Sequence, residues 1–150
     1  MHCFIRISLL ESTNLSNVRV HGAAINDKID ILDLGKYTYS DRYSGDYRYL
    51  FDEICIDVDE NDCITSIYSR FDEGKTEITV NDISNITTID QVEEILGDNY
   101  YDGIYDWEQL LNSYVYYDRE NNIIAEFVYF NFDEESINNR VLTWIDIYRK

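Results

Sequence analysis

Alternation of apolar and polar residues at a period of two constrains this chain most, because that period sends successive side chains to opposite faces of a strand. Ile54, Ile56 and Val58 alternate with Cys55, Asp57 and Asp59, and the stretch from Cys63 to Phe71 reads as the return strand. Tyr114 to Tyr117 and Ile123 to Phe132 make a second such pair. Cys3, Ile5, Ile7 and Leu9 alternate with His2, Phe4, Arg6 and Ser8, which predicts a first strand. Val141, Thr143, Ile145 and Ile147 alternate with Leu142, Trp144, Asp146 and Tyr148. A strand apolar on both sides belongs in the middle of a sheet or beneath helices. Left exposed, the same strand could pair with a partner's sheet edge.

Helical signals are fewer. Ile89 to Leu96 is the clearest: Thr88 and Gln91 have capping-box spacing, and Gly97 stands where a left-handed residue is wanted. Ile89, Val92 and Leu96 form its apolar stripe, with Ile95 on the flank and Asp90, Glu93 and Glu94 toward water. A shorter helix is expected from Asp106 to Leu111, burying Trp107, Leu110 and Leu111. The fold class that follows is α+β: a mostly antiparallel sheet built from hairpins, with one or two short helices packed on it. With 150 residues and no Pro-rich or Gly-rich linker, a single domain over 1–150 is expected.

The halves share an order of features. Ile29-Asp30 leads to Leu34-Gly35 and Tyr37, as Ile89-Asp90 leads to Leu96-Gly97 and Tyr100. Asp59-Glu60-Asn61-Asp62-Cys63-Ile64 is matched later by Asp118-Arg119-Glu120-Asn121-Asn122-Ile123. Chance supplies any two of these matches; the common order points to a duplicated helix-hairpin unit, roughly 20–75 and 78–132.

Charge bears on function more than on fold. Thirty Asp and Glu stand against twelve Lys and Arg, a formal net charge of −18. Such a chain repels nucleic acid and anionic membrane and attracts basic partners. Fourteen tyrosines and an aromatic content of 15% argue against disorder. Cys3, Cys55 and Cys63 have no metal-like spacing and read as reduced residues, with Val58 facing Cys63 across the hairpin turn. The first residues lack a signal-peptide pattern, and no apolar run approaches the ~18 residues of a membrane span, so a cytoplasmic protein is expected.

Catalytic and metal signatures are weak. Asp57, Asp59 and Asn61 fit the first positions of a calcium loop, but Asp62 stands where glycine is needed and Tyr68 where a bidentate Glu is needed. A hairpin turn rich in Asp and Asn explains the run. His2 and His21 have no evident partners, and neither a nucleophile triad nor a phosphate loop is visible. No cofactor, metal or enzymatic activity is expected; an acid-base enzyme would require a pocket with a strongly perturbed carboxylate.

One segment stands out. Asp98-Asn99-Tyr100-Tyr101-Asp102-Gly103-Ile104-Tyr105-Asp106-Trp107-Glu108 packs aromatics among carboxylates directly after a helix, with a weaker counterpart from Tyr37 to Tyr47. Aromatic anchors supply contact energy and surrounding charges supply steering. The rings could instead turn inward and cap the sheet, Trp107 first among them. Asp98, Tyr100, Tyr101, Asp102, Tyr105 and Asp106 are the candidate partner-binding residues.

With these features, and with hairpins such as Tyr117-Asp118-Arg119-Glu120-Asn121-Asn122-Ile123, the chain resembles the small acidic α+β immunity proteins of bacterial polymorphic toxin and contact-dependent growth inhibition systems. The unit from Ile89 to Gly97 with its following hairpin also resembles the repeats of beta-lactamase-inhibitor-like domains. The first resemblance is of overall character and transfers no functional residue. It implies a stoichiometric inhibitor of a basic toxin domain, typically a nuclease, without direct contact to nucleic acid or membrane. The alternative is a nucleic-acid mimic of anti-restriction or anti-CRISPR type, with carboxylates spaced like phosphates along a long face.

Overall fold

A computed structural model of the chain describes residue 7 and residues 9–41, 47–71, 76–133, 135–136 and 139–150. Within them lie the strands β1 (Val18–Val20), β2 (Tyr49–Leu50), β3 (Cys55–Val58), β4 (Ile64–Arg70) and β5 (Ile78–Val80). The helix α1 (Ile89–Leu96) follows, then β6 (Tyr101–Asp106), β7 (Leu111–Asp118), β8 (Ile123–Phe130) and β9 (Leu142–Arg149). β1 and β5 make a two-stranded ribbon, and the other seven strands make one sheet in the order β2-β3-β4-β9-β8-β7-β6. Every pairing between these strands is antiparallel. The fold is α+β and mostly antiparallel sheet. Among the described residues, no helix is long and apolar enough to cross a membrane.

Local sequence explains the best-defined elements. Thr88 Oγ1 accepts the Gln91 N–H while the Gln91 side chain accepts from the Thr88 N–H, so the capping box closes. Gly97 ends α1 at φ 91°, a conformation that costs glycine little. In the β3–β4 turn Asp59 Oδ1 accepts from the amides of Asn61 and Cys63, and Asp62 takes φ 61°. A register shift at Asp57/Val58 sets Val58 opposite Ile64 rather than Cys63.

The main core lies between one sheet face and a cover of α1 and the β1–β5 ribbon. Ile56, Ile67, Phe127, Ile145 and Ile147 meet Val18, Val20, Ile89 and Val92 there, all buried. On the opposite face a smaller cluster joins Ile7, Val115, Tyr117 and Ile124, with Leu10, Tyr101 and Tyr148 packed against it.

The strand predicted at Val141 to Tyr148 lies in the middle of the sheet, as a strand apolar on both sides should, since β9 pairs with β4 on one side and β8 on the other; it offers no exposed edge to a partner. Two expectations need correction. Asp106 to Leu111 is not a helix: residues 107–110 form the turn between β6 and β7, leaving Trp107 and Leu110 exposed and only Leu111 buried. The predicted strand from Cys3 to Leu9 lies outside the described residues except for Ile7, which is helical and buried, and Leu9, which sits exposed in a turn.

Two sets of elements pair in the same pattern. Arg19↔Thr79 centres the β1–β5 ribbon, flanked by Val18↔Val80 and Val20↔Ile78. Tyr68↔Asp146 centres the β4–β9 seam, flanked by Ile67↔Ile147 and Ser69↔Ile145. The Ile29 N–H donates to Asp62 O, as the Ile89 N–H donates to Arg140 O. The β3–β4 shift at Asp57/Val58 is matched in β8–β9 at Val128/Tyr129. By this correspondence β1, the 3-10 turn at Ile29–Ile31, β2, β3 and β4 match β5, α1, β7, β8 and β9. The sequence likeness instead set the β3–β4 turn against the β7–β8 turn. The place of β6 is taken in the first set by the single bridge Tyr39↔Phe51.

Candidate functional site

The predicted residues fall on the α1–β6 connection and on β6, the last strand of the sheet. The Tyr116 hydroxyl donates to Gly97 O at 2.9 Å and fixes the chain's exit from α1. Beyond it Asp98 is exposed. Tyr100 turns inward, stacked on Tyr114 with ring centroids 3.7 Å apart, and its hydroxyl donates to Glu93 Oε1 at 2.8 Å. Burial, then Tyr114 and Glu93, push its pKa above the usual tyrosine value. Asp102 is exposed but accepts from the buried Tyr129 hydroxyl at 3.1 Å. Asp106 Oδ1 accepts the amides of Glu108 at 3.0 Å and Gln109 at 3.3 Å, closing the β6–β7 turn. Tyr100, Asp102 and Asp106 therefore tie β6 to the body of the protein.

Tyr101 lies on the opposite face, against the Ile7 cluster. Tyr105 is half exposed and meets Trp144 edge-to-face at 5.1 Å. The six residues thus form no single patch: Asp98, Asp102 and Tyr105 reach solvent, while the others serve the fold. Sequence reasoning missed the residues that expose apolar surface here. Trp107 is 74% exposed, Ile104 58% and Leu110 47%, in a segment whose Asp102 and Glu108 are exposed too. The signal for Trp107 was Asp106 itself, a residue that closes turns with its side chain.

From Tyr105 an aromatic row crosses the sheet face opposite the main core. Trp144 meets Tyr68 at 6.3 Å, and Tyr68 meets Tyr47 at 6.4 Å. The Arg70 guanidinium lies 5.2 Å over the Trp144 ring. Beside this row Glu126 and Asp146 stand directly opposite each other on β8 and β9. Burial pushes both carboxyls up; Asp146, with the Glu126 charge added, reaches about 6. Ser113 offsets part of the effect at Glu126 by a hydrogen bond. Two half-buried carboxyls so placed can hold a proton between them or face a cation.

The remaining motifs have local roles. Asp59 also accepts from Arg149 Nη2 at 3.1 Å, so the calcium-like turn satisfies its first carboxylate with amides and a guanidinium. Among the described residues no group of three or more His, Cys, Asp or Glu is arranged to hold a metal. His21 packs edge-to-face on Tyr37, and burial lowers its pKa. Cys55 and Cys63 are free thiols, and burial raises Cys55 to about 11; Cys3 lies outside the described residues. Compared with known proteins, the chain matches no family model, no curated protein and no solved structure.

Proposed function

We propose that this chain is a stoichiometric protein-binding inhibitor of the immunity type, which captures a basic partner, with a toxin nuclease domain as the favoured class. One observation carries the reading: Ile104, Trp107 and Leu110 are exposed on β6 and its turn to β7, in a segment that also exposes Asp102 and Glu108. An exposed tryptophan beside an exposed isoleucine has hot-spot composition, and burying both against a partner supplies affinity. The surrounding carboxylates, in a chain of net charge −18, speed encounter with a basic surface and reject acidic ones. Buried Cys55 as a free thiol fits a reducing compartment such as the cytoplasm.

The test is a low-salt pull-down with the tagged chain, followed by co-expression with the captured protein. A basic toxin domain is expected, with protection of the cells and affinity falling between ~50 and ~500 mM salt as the Debye length shrinks. Trp107→Ala should lose both capture and protection. Affinity indifferent to salt would overturn the charge argument, and capture of several DNA-binding proteins would replace the reading with nucleic-acid mimicry.

A further inference from the structure

The two element sets correspond residue for residue around the β1–β5 ribbon. The His21 N–H donates to Glu77 O and the Asn81 N–H to Asn17 O, so each set gives what it takes. Val20 bridges to Ala23 as Val80 bridges to Ile83. The Ile64 N–H donates to Asp27 O as the Leu142 N–H donates to Thr87 O. Asn17, Arg19, Ala24 and Asp27 therefore have Glu77, Thr79, Ser84 and Thr87 as counterparts. In the first set an arginine occupies the space beside these residues. Arg19 Nε donates to Asn17 Oδ1 at 2.9 Å and Nη1 to Asp27 Oδ2 at 3.1 Å, and Asp27 Oδ2 also accepts the Ala24 amide. In the second set a cavity of about 370 Å³ lies at the equivalent place, with Glu77, Thr79, Ser84 and Thr87 in its lining. Threonine holds the arginine's position there, and the carboxylate has moved from the position of Asp27 to that of Asn17.

We infer that this cavity is a seat for a guanidinium group, filled by an arginine side chain of the basic partner. The inference rests on the proposed binding function and names one contact through which that binding is made. Arg19 shows what the seat is shaped to hold. Its Nε and Nη1 donate in different directions, to acceptors at positions 17 and 27. A planar fork of donors can span such acceptors, whereas the compact ammonium of lysine is a point charge. Glu77 and Thr87 offer the counterpart acceptors, with the negative charge now on the first of them.

Exposure chooses the source of the guanidinium. Glu77, Ser84 and Thr87 are exposed and Thr79 is half-buried, so the seat is open to solvent. Pockets for small molecules bury most of their ligand, which this rim would leave wet. A side chain delivered by a large partner is covered by the rest of the interface instead. One ion pair on exposed acceptors adds little affinity alone, so the contact serves register and choice of partner.

The experiment records amide NMR spectra of the full chain in low salt while the N-acetyl methylamides of arginine, lysine and citrulline are added in turn. Citrulline has nearly the shape of arginine without its charge. The arginine probe should shift the amides of residues 77–79 and 84–87 saturably, and the other two should bind there about three-fold or more weakly. Glu77→Gln, a change at an exposed position, should weaken the arginine probe by about three-fold. Thr79→Arg, which refills the seat as Arg19 fills its own, should abolish those shifts and lower affinity for the captured basic partner by about ten-fold. Equal shifts from all three probes, or shifts spread over the acidic surface, would overturn the seat, while a captured basic partner would still uphold the binding function. Selective arginine binding with partner affinity untouched by Thr79→Arg would overturn the partner's arginine as the occupant and assign the seat to a free guanidinium compound. Selective arginine binding with no basic partner captured would also overturn that occupant, and the failure would then lie with the binding function.

Discussion

Asp146 should make the protein less stable at neutral pH than in mild acid, and replacing it by Asn should remove that dependence. Its carboxyl faces Glu126 across the β8–β9 pairing, and burial with the Glu126 charge raises its pKa from 3.8 to about 6. Above about 6 the group is ionised in both folded and unfolded chains, and the folded chain carries the full cost of the buried anion. Below 3.8 it is protonated in both and the cost vanishes, so stability is lost as pH rises through this window. The interval corresponds to about 3 kcal/mol at most, and residual solvent access trims the expected gain for Asp146→Asn to about 1–3 kcal/mol. Urea unfolding of the parent, Asp146→Asn and Glu108→Gln near pH 4 and near pH 8 would measure it, the last variant removing an equal but exposed charge. Near pH 8 Asp146→Asn should gain about 1 kcal/mol or more over Glu108→Gln, and near pH 4 that advantage should disappear. An advantage independent of pH, or none at all, would refute the account of the pair.

Asp118 carries the opposite sign. Its burial would raise its pKa, but hydrogen bonds from Asn121 and from the Leu15 amide outweigh that and hold it below the usual value, so its contribution fades as the solution becomes strongly acidic. Asp118→Ala should cost about 1–3 kcal/mol near neutral pH by leaving the buried Leu15 N–H without its acceptor, read from urea midpoints. Thr88→Ala should cost about 1 kcal/mol by opening the α1 capping box, seen as a lowered thermal midpoint. Trp107→Ala should leave stability within about 0.5 kcal/mol of the parent yet lower partner affinity by about 2 kcal/mol or more in calorimetric titration.

Much of the scaffold was legible because local chemistry and tertiary packing agree there. Thr88, Gln91 and Gly97 mark both ends of α1, and the alternation around Ile56 and Ile145 puts those residues in the core where they belong. β6 was not legible, since Asp102, Gly103 and Asp106 are poor strand formers held extended by pairing with β7. Trp107 misled for a related reason: hydrophobicity says that a ring profits from burial, but the turn that Asp106 closes points it into solvent. The Glu126–Asp146 pair was hidden because strand alternation assigns a residue to a face and says nothing of which strands become neighbours.

The position of β9 has a consequence for how the protein is made. Residues 142–149 fill the middle of the sheet, between β4 and β8, both of which leave the ribosome before them. Until they arrive, β4 and β8 each lack a neighbour on one side, and the two element sets are joined along the β1–β5 ribbon but not yet along the β4–β9 seam. Such edges invite pairing between neighbouring nascent chains. A ribosome that stalls shortly before residue 142 therefore leaves a product prone to cross-chain association, whereas prompt completion seals both edges in one event.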